Sequence, residues 1–219
     1  MNKKVAIIHT SFVSIETLKS LCAEIIPEVE ISNIVDDSLL KEVMENNGIT
    51  PIIVERMGNY VKSAEAMGAD AVLSQCSSMG NAIDIIEKSA KIPLLKIDQA
   101  MAEKAVEKGT KIAVVATVAS TMKPSCNLVK QVADEKGKKI EIKEVLVDGA
   151  LDILLKHGDK QKHNAMVLEK IKTLEGTCDV IVLAQGSMVV LLPELEQIKT
   201  PILTSPELGV RKLGEILEL

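Results

Sequence analysis

Two short segments carry the residue types that could move protons or attack carbon. Leu73-Ser74-Gln75-Cys76-Ser77-Ser78-Met79 sets one thiol beside a carboxamide and two hydroxyls, and Leu183-Ala184-Gln185-Gly186-Ser187-Met188 repeats the pattern 110 positions later with glycine where the thiol was. A cysteine that ends a strand just before a helix meets exposed backbone N–H groups and the positive end of the helix dipole. Both lower a thiol's pKa, so Cys76 is expected to be a reactive thiolate. Cys22 and Cys126 sit in helical patterns among Leu, Ala and Val and are expected to be small buried hydrophobes. Cys178 stands just before a strand pattern, and the four cysteines are fifty or more positions apart, with no CxxC and no metal-ligand spacing. In a reducing compartment they are free thiols. His9, His157 and His163 are as scattered, so no metal site is expected.

The elements that must position these segments are strands alternating with helices. In the first half, strand patterns cover Lys4 to Ile8, Val29 to Val35, Ala71 to Leu73 and Ile92 to Leu95, the last with a proline that suits a sheet edge. Helical patterns open at Ser14, a candidate cap, and cover Asp37 to Glu45, Pro51 to Met67 with Gly68 past its end, and Ile83 to Ser89. In the second half, strands are expected at Lys111 to Val115, Ile140 to Val147, Val180 to Leu183 and Lys199 to Leu203, with helices at Thr121 to Glu135, Ala150 to Leu155, Lys162 to Leu174 and Pro206 to Leu217. Lys111-Ile112-Ala113-Val114-Val115 matches Lys4-Val5-Ala6-Ile7-Ile8 at an offset of 107, and Lys199 to Leu203 matches Lys91 to Leu95 at 108. Three anchors at nearly one offset point to an internal duplication. The fold class is α/β: two pseudo-symmetric lobes, each with a mostly parallel four-stranded sheet flanked by helices. The expected division is residues 1–98 plus 206–219 for the lobe carrying Cys76, and 99–205 for the lobe carrying Gln185-Gly186-Ser187.

Composition agrees with this and removes other classes. Of 219 residues 47% are apolar, yet there is no Trp, one Tyr (Tyr60) and one Phe (Phe12), so the core must be aliphatic, as a parallel sheet buried on both faces requires. A net charge of −5 without a basic cluster or stacking aromatics gives nucleic acid nothing to hold. Lys136-Gly137-Lys138-Lys139 is a surface turn, too short for a polyanion site. No apolar run is long enough to span a bilayer, and Met1-Asn2-Lys3-Lys4 leads into a strand pattern too short for a signal-peptide core, so a cytoplasmic protein is expected. There is no GxGxxG after a strand and no GxxxxGK[ST], which argues against a nucleotide.

Ligands of parallel sheets bind beyond the carboxyl ends of the strands. The loops there are Thr10-Ser11-Phe12-Val13-Ser14, Gln75-Cys76-Ser77-Ser78, Thr117-Val118-Ala119-Ser120-Thr121 and Gln185-Gly186-Ser187, all bearing hydroxyls. Neutral donors beside free N–H groups suit a small carboxylate. Ser14, Ser120 and Thr121 also fit plain helix caps, as do Glu16, Asp36 and Asp37. His9 ends the first strand and is read as a second acid or base or as a structural imidazole; His157 and His163 are expected in solvent.

The two-lobed repeat, the strand-Cys-Ser-Ser segment and its echo resemble the aspartate/glutamate/hydantoin racemase superfamily, which includes arylmalonate decarboxylase and maleate isomerase. The resemblance spans essentially the whole chain. It implies two Rossmann-like lobes with a cleft between them, no pyridoxal phosphate, no metal, and one cysteine on each wall. It also implies a dimer or larger homo-oligomer, with the last helix packing back onto the first lobe. By the same resemblance Cys76 is the first of the catalytic cysteines, Ser77 and Ser78 hold the substrate carboxylate, and Thr10, Ser11, Thr117, Ser120, Thr121, Gln185 and Gly186 line the binding site. The second cysteine is missing, because residues 183–188 contain none and Cys178 precedes the strand. Ser187, or a water, is left to serve the other face. A lone thiol is compatible with racemisation or epimerisation, with decarboxylation or isomerisation of a dicarboxylate, or with nucleophilic hydrolysis. A protein that closes on a carboxylate without reacting is the alternative from outside enzymology.

Overall fold

The computed structural model describes residues 2–219, with the side chains of Leu154 and Leu155 left out; Met1, where the first lobe was expected to start, lies outside the described residues. The chain divides into two compact units, one formed by Met1–Ala100 with Pro206–Leu219 and the other by Met101–Ser205.

Each unit is built on four parallel strands. In the first these are β1 (Lys4–His9), β2 (Glu30–Val35), β3 (Ala71–Ser74) and β4 (Leu94–Lys96), ordered β2-β1-β3-β4. In the second they are β5 (Lys111–Ala116), β6 (Glu141–Leu146), β7 (Val180–Leu183) and β8 (Ile202–Thr204), ordered β6-β5-β7-β8. Register repeats as well as order: Val5 pairs with Ala71 and Ile112 with Val180. The central strands are apolar at consecutive positions because both faces are covered. Along β1 the faces alternate: Ala6 and Ile8 pack with Leu39, Ile53, Met57 and Ile83, while Val5 and Ile7 pack with Leu18, Cys22, Val210 and Leu213.

The helices of the first unit are α1 (Ile15–Ile25), α2 (Ser38–Glu45), α3 (Pro51–Ala66), α4 (Gly80–Ile86) and α10 (Ser205–Ile216), whose residues from Pro206 onward belong here; α5 (Gln99–Lys108), almost all of which lies in the second unit, leads to α6 (Ala119–Glu135), α7 (Ala150–His157), α8 (Lys160–Lys172) and α9 (Leu192–Leu195). Helix α3 shows how local sequence sets the ends. Thr50 caps it by accepting from the Ile53 N–H, and Pro51 fits the first turn, where no intrahelical partner is needed. At the other end Gly68 takes φ +76, while the Ala69 and Gly68 N–H groups bond to the Ala64 and Glu65 carbonyls.

Several expected elements are corrected. Strands β4 and β8 start after Pro93 and Pro201 and not before them, since the ring removes a ladder donor. The helix expected at Ile83 begins at Gly80, straight out of a 3-10 turn over Ser77–Met79. Helices α5 and α9 were not read from the sequence at all. Ser14 stands at the start of α1 but makes no side-chain capping bond, and Val118, not Ser120 or Thr121, occupies the cap position of α6.

Candidate active site

The carboxyl edge of the first sheet gathers one polar residue from each strand. Thr10 follows β1, Asp36 follows β2, Cys76 follows β3 and Asp98 follows β4, so the order β2-β1-β3-β4 puts Thr10, Cys76 and Asp98 on neighbouring strand ends. Cys76 is extended (φ −106, ψ 117) and heads the Ser77–Met79 turn, closed by the Met79 N–H on the Cys76 carbonyl at 2.9 Å. As a whole residue it is half-buried. The Thr10 hydroxyl and the backbone N–H and hydroxyl of Ser78 bond to the sulfur and favour the thiolate, but burial outweighs them and the charge of Asp98 adds to burial, so the thiol is pushed up. The expected depressed pKa is thereby corrected: desolvation of the sulfur outweighs the donors around it. The comparison with Cys22 and Cys126 is informative, because burial alone pushes Cys22 up to about 11, and Cys126, which meets the Met122 sulfur, also lies at about 11.

Asp98 was missed by sequence reasoning. It is 3% exposed, accepts from the Ser77 hydroxyl and from its own backbone N–H, and lies within range of Lys96, whose Nζ is 2.6 Å from Asp84 Oδ1. The signal was available, for the rule that singled out the loops after β1 and β3 applies equally to the loop after β4. His9 is fully buried at the end of β1, with Nε2 2.8 Å from Asn33 Oδ1, and burial holds its pKa below the ordinary value. Its Nδ1 has no partner among the described residues. Asp36 exceeds the role of a cap: besides the Ser38 N–H it receives Tyr60 Oη at 2.5 Å and the Arg56 guanidinium, which also grips Glu42 at 2.7 Å. His163 is half-buried against Asn164, where solvent was expected, whereas His157 is exposed.

The second unit carries the same edge without sulfur. Thr117 follows β5 and is buried; its N–H donates to Gln185 Oε1 at 2.6 Å, and Gln185 Nε2 returns a bond to Thr117 Oγ1 at 3.0 Å. These two expected ligand donors satisfy one another. Gly186 opens a 3-10 turn over Gly186–Leu191 and Ser187 is exposed. Thr121 is buried, and the Ser120 hydroxyl is buried without a partner among the described residues. Ser11 is half-buried in the loop after β1. Cys178 lies at the amino end of β7, 3.7 Å from the Leu174 carbonyl, so four strand residues, about 13 Å, separate it from the 185–187 loop. Among the described residues no group of three or more His, Cys, Asp or Glu could hold a metal ion, and no helix is long and apolar enough to cross a membrane.

A model of the Asp/Glu/hydantoin racemase family matches residues 3–213. The chain belongs to that family. Solved members of similar architecture include allantoin racemase from Klebsiella pneumoniae (16% identity, TM-score 0.71, covering 99% of this chain and 88% of that one). Glutamate racemase from Bacillus anthracis gives 16%, 0.73, 99% and 82% on the same measures. Aspartate racemase from Picrophilus torridus gives 17%, 0.70, 97% and 93%. A comparison with curated proteins found no match. Identities this low carry the α/β architecture and no more. Membership in the racemase family supports an enzyme of racemase or isomerase type; this chain carries a cysteine after β3 and none in residues 183–188 after β7.

Proposed function

We propose that the protein is a cofactor-independent racemase- or isomerase-type enzyme acting on the carbon next to a carboxylate of a small acid, with Cys76 as its acid/base. The observation that carries this is the setting of the Cys76 sulfur, which receives the Thr10 hydroxyl and two donors of Ser78 at the carboxyl edge of a racemase-family sheet. Cys22, packed in the core, shows no such donors, and Cys178, which does receive donors from Ala113 and Thr177, lies at the opposite, amino end of its strand. In proton abstraction the thiolate takes the α-proton and the electron pair moves into the carboxylate as an enediolate; reprotonation on carbon completes the cycle. Hydroxyl and N–H donors of Ser77, Ser78 and Thr10 stabilise that charge. Ser120, whose buried hydroxyl lacks a partner among the described residues, and Ser11, Thr117, Thr121, Gln185 and Gly186 are the further contacts in this reading, with Ser187, or a water held by Gln185 or Ser187, serving the other face in place of a second thiol.

A second chemistry is favoured by two specific observations, the missing cysteine after β7 and the raised Cys76 thiol. A thiol that keeps its proton is an acid first. In decarboxylation of a substituted malonate the C–C bond breaks, CO2 leaves, the pair remains as an enediolate, and the Cys76 S–H protonates carbon before sulfur regains a proton from solvent. One thiol suffices.

Amino acids, hydantoins and substituted malonates incubated in D2O with the wild type, Cys76→Ala and Cys76→Ser decide the matter by NMR. Deuterium at the α-carbon that falls by about 10²–10⁴-fold in the variants is the expected result. Label with loss of CO2 assigns the decarboxylase chemistry. Exchange undiminished in Cys76→Ala removes the thiol from the reaction, and binding without any exchange in the wild type leaves a carboxylate-binding protein.

A further inference from the structure

Helix α3 carries a row of side chains that the rest of the chain leaves in solvent. Ile52, Glu55, Asn59, Lys62 and Ala66 recur at three- and four-residue spacing and all are exposed, while Ile53, Met57, Val61 and Ala64 on the opposite side are buried. Met67 at the end of the helix and Ile85 on α4 are each at least half exposed, as is Ile52. Glu55, Asn59, Lys62 and Ile85 line one groove between α3 and α4, so row and groove form a single surface. Two charges on this surface are unpaired. Arg56 is taken by Asp36 and Glu42, and the Glu65 carboxylate by the Lys91 N–H, whereas Glu55 and Lys62 have no ion pair among the described residues. Large apolar side chains exposed together and flanked by polar residues mark a surface for association.

The order of residues along the row says what fits it. At about 1.5 Å of rise per residue, Glu55 lies about 6 Å from Asn59 along the helix in one direction and Lys62 about 4.5 Å in the other, with Ile52 and Ala66 each about 10.5 Å away. A two-fold axis through Asn59, perpendicular to the helix, sets a second α3 antiparallel to the first. Glu55 then faces Lys62 of the second copy, Ile52 faces Ala66 and Met67, and every such contact occurs twice. A parallel pair would instead put Glu55 on Glu55 and Lys62 on Lys62. The row is its own complement, in charge and in apolar ends, only when it meets itself reversed. We propose that the exposed row of α3, with Ile85 of α4 beside it, is the face through which two copies of this chain pair antiparallel about a two-fold axis at Asn59.

Sedimentation equilibrium of the full-length protein across the micromolar range reads the pairing. The wild type is expected to be a dimer in reversible equilibrium with monomer. Glu55→Lys and Lys62→Glu each turn both ion pairs into like-charge contacts, and each is expected to raise the dissociation constant by about tenfold or more. Glu55→Lys combined with Lys62→Glu rebuilds both pairs with their signs exchanged, and its dissociation constant is expected to return close to the wild-type value. If a single variant does not fold, Asn59→Asp, which sets two carboxylates against each other on the axis, is expected to weaken the dimer in the same way. A wild type that stays monomeric throughout the range overturns the proposal, as does a dimer that the single variants leave unchanged or a combined variant that does not recover. Association is read without substrate, so the outcome is independent of the role of Cys76, which α-exchange in Cys76→Ala decides.

Discussion

At the scale of single residues, the four cysteines form a graded set. Cys22 and Cys126 are 2% and 1% exposed and lie at about 11, so at pH 8 almost none of either is thiolate. Cys76 is less buried than either, and Thr10 and Ser78 oppose the burial that pushes its thiol up. Alkylation should reach Cys76 well before Cys22 or Cys126, yet with a midpoint above that of a free cysteine; a midpoint below the free value would mean that the donors outweigh burial. Gln185 supplies a second residue-scale prediction. Its amide fills the donors of Thr117, and Gln185→Ala leaves a buried N–H without that partner, so urea unfolding should show a loss of about 1–3 kcal/mol. Acetate added to that variant is expected to restore part of the loss if the freed N–H takes a carboxylate. Cys76 was legible in the sequence because a thiol at a strand end beside its own thiol-free copy is conspicuous. Asp98 was legible only as a member of the loop after β4, since a lone acid after an edge strand belongs to no motif and its burial is a property of the packed sheet. The depressed thiol pKa expected from the sequence failed for a related reason: desolvation is invisible along the chain, while helix starts are visible.

Elements repeat the same device twice. Asp70, just before β3, accepts from the Lys4 N–H at 2.8 Å, and Asp179, just before β7, accepts from the Thr110 and Lys111 N–H groups at 2.8 Å each. Each carboxylate tethers the start of the neighbouring central strand, and those backbone bonds hold both acids below the usual range. A lowered carboxylate contributes stability that is complete above its unfolded value of about 3.9 and is lost as pH falls through the lower folded value. Asp179→Asn should therefore be less stable than the wild type at pH 7, with the difference closing below about pH 4; a difference independent of pH would assign the effect to packing. Glycine makes a second element-scale argument. A Cβ on Gly209 in α10 would stand 2.5 Å from the Ile97 carbonyl oxygen and 2.6 Å from its Cδ1, so α10 lies against the end of β4 with no room for a methyl. Gly209→Ala is expected to cost about 1–3 kcal/mol in urea unfolding despite the better helix propensity of alanine. The strands were readable because parallel strands buried on both faces are runs of Val, Ile, Leu and Ala. Helix α5 was not, because Gln99–Lys108 is short and polar, and only its buried Met101, Ala102, Ala105 and Val106 reveal its packed face. Turns that begin as 3-10 and continue as α, at Ser77–Met79 and Gly186–Leu191, were placed as loops for the same lack of a periodic signal.

At the scale of the molecule, duplication is not matched by symmetry of chain path. The first unit is closed only by the last segment of the chain: Val210, Leu213 and Leu217 of Pro206–Leu219 pack with Val5, Ile7, Leu18 and Cys22, over a hundred and eighty positions away, whereas Met101–Ser205 is continuous. The long closure makes the first unit's fold depend on residues that contribute nothing to the second unit's core cluster of Val115, Val167, Ile171 and Leu183. Leu213 is fully buried, so Leu213→Ala should remove about 2–5 kcal/mol from the unit that holds it. Native-state hydrogen exchange separates the outcomes, because amides open by whichever unfolding event is cheapest. Protection is expected to fall for β1, β3 and β4 and to persist in β5 and β7. Equal loss in both sheets would show instead that the two units unfold as one, and that stability is shared across the duplication. Since Cys76 lies on the edge of the weakened sheet, the same variant should speed alkylation of Cys76 by local opening at every pH, with its pH midpoint unchanged. An unchanged midpoint separates a thiol exposed by unfolding from one whose acidity has changed.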